Sequence, residues 1–469
     1  MCHEGLGEAA PRGPLGALPR SEDTATEGTK RRWGHRPCEG MMRPLAVIFG
    51  LLLLLATPAW VPAQQDKSTQ PYFDARKEQM EYVGPGREEP EPANLREVLI
   101  GYFGPSDPAH PEGGDIWRAV SLAIEEANTE GGYRGLPFRV IPVWSENPWG
   151  TGVSKVARLA YYDKVWAIIG GIDGPSTHLA EQVVAKACLV LISPATTDKT
   201  VNLAGVPWMF SALPGDQLAA PVMGEALLAR CEPFVILAAT DHDSHMFLVE
   251  LRKFLATKGA GPIFEYEFKS GTRDFSELAE RVAGSRAGAA VLIAGPADSA
   301  RLLATLRERG FAGRVLGGPW MGRRGFLQAA GASAEGVLFP LLENASPGFQ
   351  RFAEVFTPRF GFLPDYAAAQ AYDATCLLIT AIRKTGLNRA RIRDAVWELS
   401  PWDGVSGTIK WDPVGQNVRT VRLGSIRRGH ILPIIHGVCR QDSISLRNQH
   451  GKSAAQAQQA KQQSKRSRT

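Results

Sequence analysis

Between Val98 and Leu316 the chain alternates short apolar runs with longer segments whose apolar residues recur every three to four positions. The runs Val98–Phe103, Phe138–Val143, Val165–Ile169 and Cys188–Ile192 have the length of strands. Most lack the polar alternation of a sheet with one wet face, which predicts strands covered on both sides. Asp115–Asn128 sets Ile116, Ala119, Val120, Ala123, Ile124 and Ala127 on one helical face, Gly152–Tyr162 predicts a second helix, and a third separates Ile169 from Cys188. A second series follows, with strands Phe234–Ala238, Ile263–Phe268, Ala289–Ile293 and Val315–Leu316 and helices Met246–Lys258, Phe275–Ala283 and Ser299–Arg309. Such alternation predicts an α/β protein with two doubly wound lobes. Beyond them, Ala367–Thr385 and Ala390–Leu399 read as helices, and Gly407–Trp411 with Val421–Ile426 as a hairpin closed by the DPVGQ turn. These pieces are too small for a third core and should complete the two lobes, so the chain must cross between them more than once.

The ends differ from this body. Met41-Met42-Arg43, an apolar core from Leu45 to Ala56 and small residues before Gln64 form the pattern of a cleaved secretory signal over residues 41–63. Its core of about a dozen residues falls short of the roughly 20 that span a bilayer. Residues 1–40, rich in Gly, Pro and Arg, precede it and read as an over-extended start without structure. Residues 64–96 read as a polar linker, and 438–469 as a disordered basic tail. The formal charge of +5 belongs to the ends. The tail carries seven basic residues against one acid, the signal adds one, and residues 1–40 balance at six each, leaving about −2 for the rest. Nucleic acid is therefore not an expected partner of the folded body. The chain is expected to be exported to the periplasm, where disulfides are allowed. Cys188, in an apolar run, and Cys376, in an apolar helix, read as buried thiols; the pairing of Cys231 and Cys439 stays open.

Val165–Thr197 carries most of the chemistry. Two neighbouring strands deliver the loops GGIDGPST and SPATT to one sheet edge, and ligands of doubly wound sheets sit beyond the carboxyl ends of the strands. Gly171 and Gly174 allow close backbone approach, and Ser176 and Thr177 stand where a helix N-terminus offers free donors, although both residues could simply cap that helix. Asp173 is the charge in this loop, able to receive a cation or to satisfy turn amides. Neither loop supplies a nucleophile with its base, and no P-loop, nucleophile elbow or dinucleotide fingerprint opens the chain, so an enzyme is not expected.

The order of motifs resembles that of the periplasmic type I solute-binding proteins of ABC transporters, the leucine/isoleucine/valine-binding group. The matching segments include EVLIGYFGP, GGDIWRAVSLAIEEANTEGG, VWAIIGGIDGPSTHLAEQ, LVLISPATT, FKSGTRDFSELAERV, AVLIAGPADSARLLATLRERGF, LGGPWM, AAQAYDATCLLITAI and WDGVSGTIKWDPVGQ, spanning Val98 to Ile435. The resemblance implies two Rossmann-like lobes joined by three crossover hinge segments near Ala212, Phe339 and Pro401. It assigns 97–213 with 341–400 to an N-lobe and 214–340 with 401–437 to a C-lobe, with the ligand in the cleft between them. By position it makes Asp173, Gly174, Ser176, Thr177, Ala195, Thr196 and Thr197 ligand-binding.

Departures from the family pattern shape the expected ligand. Family members that bind amino acids place an acid for the ammonium in the loop after the last C-lobe strand, where this chain has Trp320. His245 stands where they have a tyrosine, and another aromatic position falls near Gly295 and Pro296. Without that acid an ammonium would be poorly paired. Trp320 and Trp149, the latter at a strand-to-helix turn, could instead stack an aromatic solute or hold a quaternary amine, whereas Trp117 sits at core spacing. Arg323 and Arg324 read as a solvated pair or as a clamp for a carboxylate. His242, His245, Asp241 and Asp243 suggest a metal cluster, but no third anchoring motif is identifiable, so no metal or cofactor is expected. The sequence thus reads as a monomeric solute-binding protein. It would deliver a small polar or amino-acid-like molecule to an inner-membrane permease, or else present the same fold to a signalling receptor.

Overall fold

In a computed structural model describing residues 75–77, 82–343 and 347–434, the first series builds a sheet from β1 (Val98–Phe103), β2 (Phe138–Val143), β3 (Ala167–Gly170), β4 (Val190–Ser193) and β5 (Met209–Pro214). It is flanked by α1 (Gly114–Thr129), α2 (Val153–Ala157) and α3 (Gly174–Ala187). The chain then enters α4 (Asp216–Leu228) and a second sheet: β6 (Phe234–Ala239), α5 (His242–Thr257), β7 (Glu265–Phe268), α6 (Ser276–Ala283), β8 (Ala289–Ile293), α7 (Pro296–Glu308), β9 (Arg314–Gly317), α8 (Arg324–Ala330) and β10 (Leu338–Leu341). It returns through α9 (Pro347–Phe360), α10 (Tyr366–Thr385) and α11 (Arg389–Glu398). The last strands are β11 (Trp402–Gly404), β12 (Gly407–Ile409), β13 (Gln416–Asn417), β14 (Arg422–Arg427) and β15 (His430–Pro433).

Both sheets repeat one topology. The first runs β13-β5-β4-β3-β1-β2, all parallel, and the second β15-β14-β10-β9-β8-β6-β7, with β14 and β15 antiparallel at its edge. In each, the first strand lies between the second and the third, so the winding direction reverses there and leaves a crevice at the carboxyl ends. The strands are buried as their composition demands: β3, β4, β5, β6 and β8 expose no residue. Among the described residues no helix is long and apolar enough to cross a membrane.

Four details differ from the pattern-based reading. The hairpin lies at β11–β12 rather than between 407–411 and 421–426, because Asp373 of α10 accepts from the backbone N–H groups of Val405 and Ser406 and pins the turn. Residues 401–417 stay on the first lobe instead of joining the second. The indole of Trp411 donates to the Val396 carbonyl, and Asn417 donates from its side chain to the Ala212 carbonyl. The third crossover therefore falls at 418–421, not near Pro401; the first falls at Pro214–Asp216, and the second begins after Leu341. Buried Arg419 ties the later two together, donating to the carbonyls of Leu342 and Ser406 and to Gln370.

The polar lead-in from Tyr82 is docked rather than free. Asn388 donates to the carbonyls of Gly86 and Glu89, Arg87 pairs with Asp394 at 2.8 Å, and Tyr82 packs edge-on to Trp208. Turn carbonyls that a Pro/Gly-rich segment leaves unused are thus satisfied by helix α11. Cys188 is not a strand residue but the left-handed cap of α3 (φ 48°), and like Cys376 it is half-buried and unbridged. The expected signal, the first 40 residues, Cys439 and the tail lie outside the described residues.

Candidate functional site

A cavity of about 430 Å³ opens where the carboxyl ends of the two sheets face each other. Glu112 follows β1, Ile172, Asp173 and Pro175 follow β3, Ala195 and Thr197 follow β4, and Tyr366 opens α10. From the other lobe come Asp241, His242 and Asp243 after β6, Ser270 and Gly271 after β7, Gly295–Asp298 after β8, and Trp320 and Arg323 after β9. Every contributing loop stands at the crevice that doubly wound sheets leave open. The volume suits a solute of amino-acid size.

The predicted residues divide into those that reach the cavity and those that build it. Asp173, Ala195, Thr197 and Trp320 line it. Ser176 and Thr177 are fully buried beneath it. The Asp173 carboxylate accepts from the Ser176 N–H at 2.8 Å, and the Ser176 hydroxyl returns toward the Ile172 and Asp173 N–H groups, which closes a capping box. Thr177 donates to the Asp173 carbonyl at 2.6 Å. Gly171, at φ 75°, has no room for a side chain, since a Cβ there would lie 2.1 Å from the Thr177 hydroxyl. Thr196 is buried and accepts from the Asp198 N–H. Of the capping and binding roles open to Ser176 and Thr177, the capping role is the one their contacts fill. Trp149 and His245 do not line the cavity: Trp149 is exposed in the helical turn Pro148–Gly152, and His245 faces solvent from α5. Position 245 is one helical turn too far along, and its neighbours His242 and Asp243 take the place at the rim.

Acids at the cavity come from unexpected loops. Although Trp320 stands after β9, Glu112, Asp173, Asp241, Asp243 and Asp298 all line the space. Asp173 and Asp241 cap α3 and α5, and Asp298 is engaged by Arg301 and the Gly271 N–H. Burial pushes the Glu112 carboxyl above its ordinary range, with Arg323 opposing and Asp173 adding to the rise. Asp243 is held well above that range, first by burial and then by the carboxylates of Asp173, Asp198, Asp216 and Asp241. The sequence argument that the cleft lacks an acid for an ammonium is therefore corrected. The missed residues, Glu112 after β1 and Asp243 after β6, occupy the two topological switch points, which was the signal available for finding them.

The lobes touch across the cavity through polar contacts. Asp243 accepts from the Gly174 N–H at 3.0 Å, and His242 Nε2 lies 2.7 Å from Asp198 Oδ2. Arg323 donates to Asp365 at 2.7 Å and to the Glu112 carbonyl, and Arg324 forks onto Asp115 at 2.6 and 2.9 Å. The two arginines are neither a solvated pair nor a free clamp; acids of the first lobe hold them. Trp320 packs edge-on against Phe247 at 5.5 Å and presents an apolar wall.

Two wound lobes facing each other across a polar cavity define a clamp for small solutes. Residues 98–430 match the family model described as periplasmic binding protein, and the chain belongs to that family. An amino acid binding protein of Pseudomonas aeruginosa is 25% identical over 332 residues, 68% of this chain and 87% of the relative. A chemotactic signal transduction system substrate-binding protein of Halobacterium salinarum is 25% identical over 285 residues, 58% of this chain and 66% of the relative. The fold is shared with a branched-chain amino acid transporter substrate-binding protein of Streptococcus pneumoniae solved with isoleucine. That structure is 20% identical, with a TM-score of 0.65, over 72% of this chain and all of that one.

Proposed function

We propose that the chain captures a small solute bearing an ammonium group, of the amino-acid type, and delivers it outside the inner membrane to an ABC permease. The observation that carries this reading is the placement of Glu112 and Asp243 at the cavity, two desolvated carboxyls with no basic side chain hydrogen-bonded to either among the described residues. A cation entering there relieves the desolvation that burial imposes. Thr197 and the backbone of Ala195 supply polar contacts for a carboxylate, and Trp320 an apolar wall for a side chain. The amino acid binding relative from Pseudomonas aeruginosa agrees with this choice. The relative named for chemotactic signal transduction supports a second reading, in which the loaded clamp addresses a receptor rather than a permease.

A thermal-shift screen of the tag-free protein, run in chelator, tests the ligand class against amino acids, amides, aromatic acids and betaines. Solutes carrying a positive nitrogen should raise the melting temperature, and Glu112→Gln should weaken the best of them. Stabilisation by aromatic acids or neutral amides alone would overturn the ammonium assignment.

A further inference from the structure

A second polar cluster stands beside the cavity, with members on both lobes. Asp198 and His178 belong to the first lobe, and His242 opens α5 on the second. One donor atom from each of His178, Asp198 and His242 lies within 4.8 Å of the other two. His178 Nε2 and His242 Nε2 approach the same carboxylate oxygen, Asp198 Oδ2, at 3.1 and 2.7 Å. Asp198 is fixed, because its other oxygen accepts from both the N–H and the hydroxyl of Thr200.

Three further observations distinguish this trio from an ordinary surface ion pair. His178 Nδ1 lies 3.7 Å from buried Glu181, whose other oxygen has no hydrogen-bond partner. Glu181 therefore stands on the Nδ1 side of the ring, where metal-binding imidazoles have an outer carboxylate, at ion-pair rather than hydrogen-bond distance. Gly174 makes the approach possible: a Cβ there would fall 2.4 Å from Asp243 Oδ1, 2.8 Å from the His242 ring and 3.1 Å from Asp198 Oδ2. His242 is 39% exposed and also lines the cavity, which leaves one side of the cluster open.

We propose that His178, Asp198 and His242 form a site for a divalent transition-metal ion, of the zinc type, that clasps the two lobes together. Two imidazoles and a carboxylate with a fourth, open position form a donor set that zinc accepts. The metal takes the place of the direct contacts between the two ring nitrogens and Asp198 Oδ2. From the sequence, Asp241, His242, Asp243 and His245 suggested a cluster, but with no third anchoring motif no metal was expected. The fold supplies that anchor from across the cleft and excludes His245. Because two ligands sit on one lobe and one on the other, the ion binds the closed arrangement and favours it by mass action.

The test uses the tag-free full chain stripped with chelator, titrated with Zn2+ by calorimetry and followed by small-angle scattering. One Zn2+ per chain should bind, and the radius of gyration should fall. His178→Gln and His242→Gln should each weaken binding by about tenfold or more, while His245→Gln, on the exposed face of the same helix, should bind as wild type does. His242→Gln should also abolish the compaction. Failure to bind Zn2+, or binding unchanged in both variants, would overturn the site. The solute screen in chelator is independent of this result, so either reading can fail alone.

Discussion

The bidentate pair between Arg324 and Asp115 joins α8 of one lobe to α1 of the other, and its removal should loosen the clamp without unfolding it. Arg324→Met keeps the aliphatic stem and deletes the guanidinium. Two unit charges about 4 Å apart attract by about 4 kcal/mol at an effective dielectric constant near 20. Most of this is offset by desolvation, and Arg324 is 23% exposed, so a net loss of about 1–2 kcal/mol is expected. The guanidinium also lies 3.9 Å from the centre of the Phe362 ring, which adds a cation–π share to the same figure. Asp115 retains Arg118 at 3.0 Å, so the variant leaves no buried carboxylate bare. If closure is coupled to capture, this loss appears almost entirely in the closed state, and the Kd for the best-scoring solute should rise about 5- to 30-fold. Calorimetry on Arg324→Met, Asp115→Asn and the double variant gives the coupling directly, and scattering should show an expanded ligand-free form. Unchanged affinity and size in Arg324→Met, or additive single effects, would refute the view that this pair holds the lobes shut.

Other outcomes follow from single residues. Trp320→Ala should weaken the solute by about 1.5–3 kcal/mol and Thr197→Ala by about 1 kcal/mol in calorimetry; unchanged affinity in both would place the pocket elsewhere. Glu343, beside the second crossover, is pushed up to about 7 from an ordinary 4.5 by burial, with Asp365 adding and Arg419 opposing. Because its native form prefers the proton, its stabilising contribution is whole below the unfolded value and is lost as pH rises through about 7. Glu343→Gln should therefore gain about 2 kcal/mol on wild type between pH 5 and 8 in urea unfolding, allowing for partial exposure. Parallel stability curves for the two proteins would show that the carboxyl is not held in its neutral form.

Much of this protein was legible in one dimension. Apolar runs such as AIIG in β3 and Val190–Ile192 in β4 announce buried parallel strands because nothing polar in them could face water. The rule that ligands sit beyond carboxyl ends then placed the loops carrying Asp173, Ala195 and Thr197 near the cleft, and the family resemblance added Trp320. The tertiary structure decided what depends on distance between remote segments. Ser176 and Thr177 turned out to spend their hydroxyls on the helix start, an outcome the sequence left open. The clearest revision concerns charge. Position 320 holds no acid, yet Glu112 and Asp243, more than a hundred residues apart in the chain, both line one cavity. The cross-lobe partners of Arg323, Arg324 and His242 were illegible for the same reason. Periodicity reports which face of an element is buried, but only the folded chain shows which loops of two separate sheets come within hydrogen-bond reach.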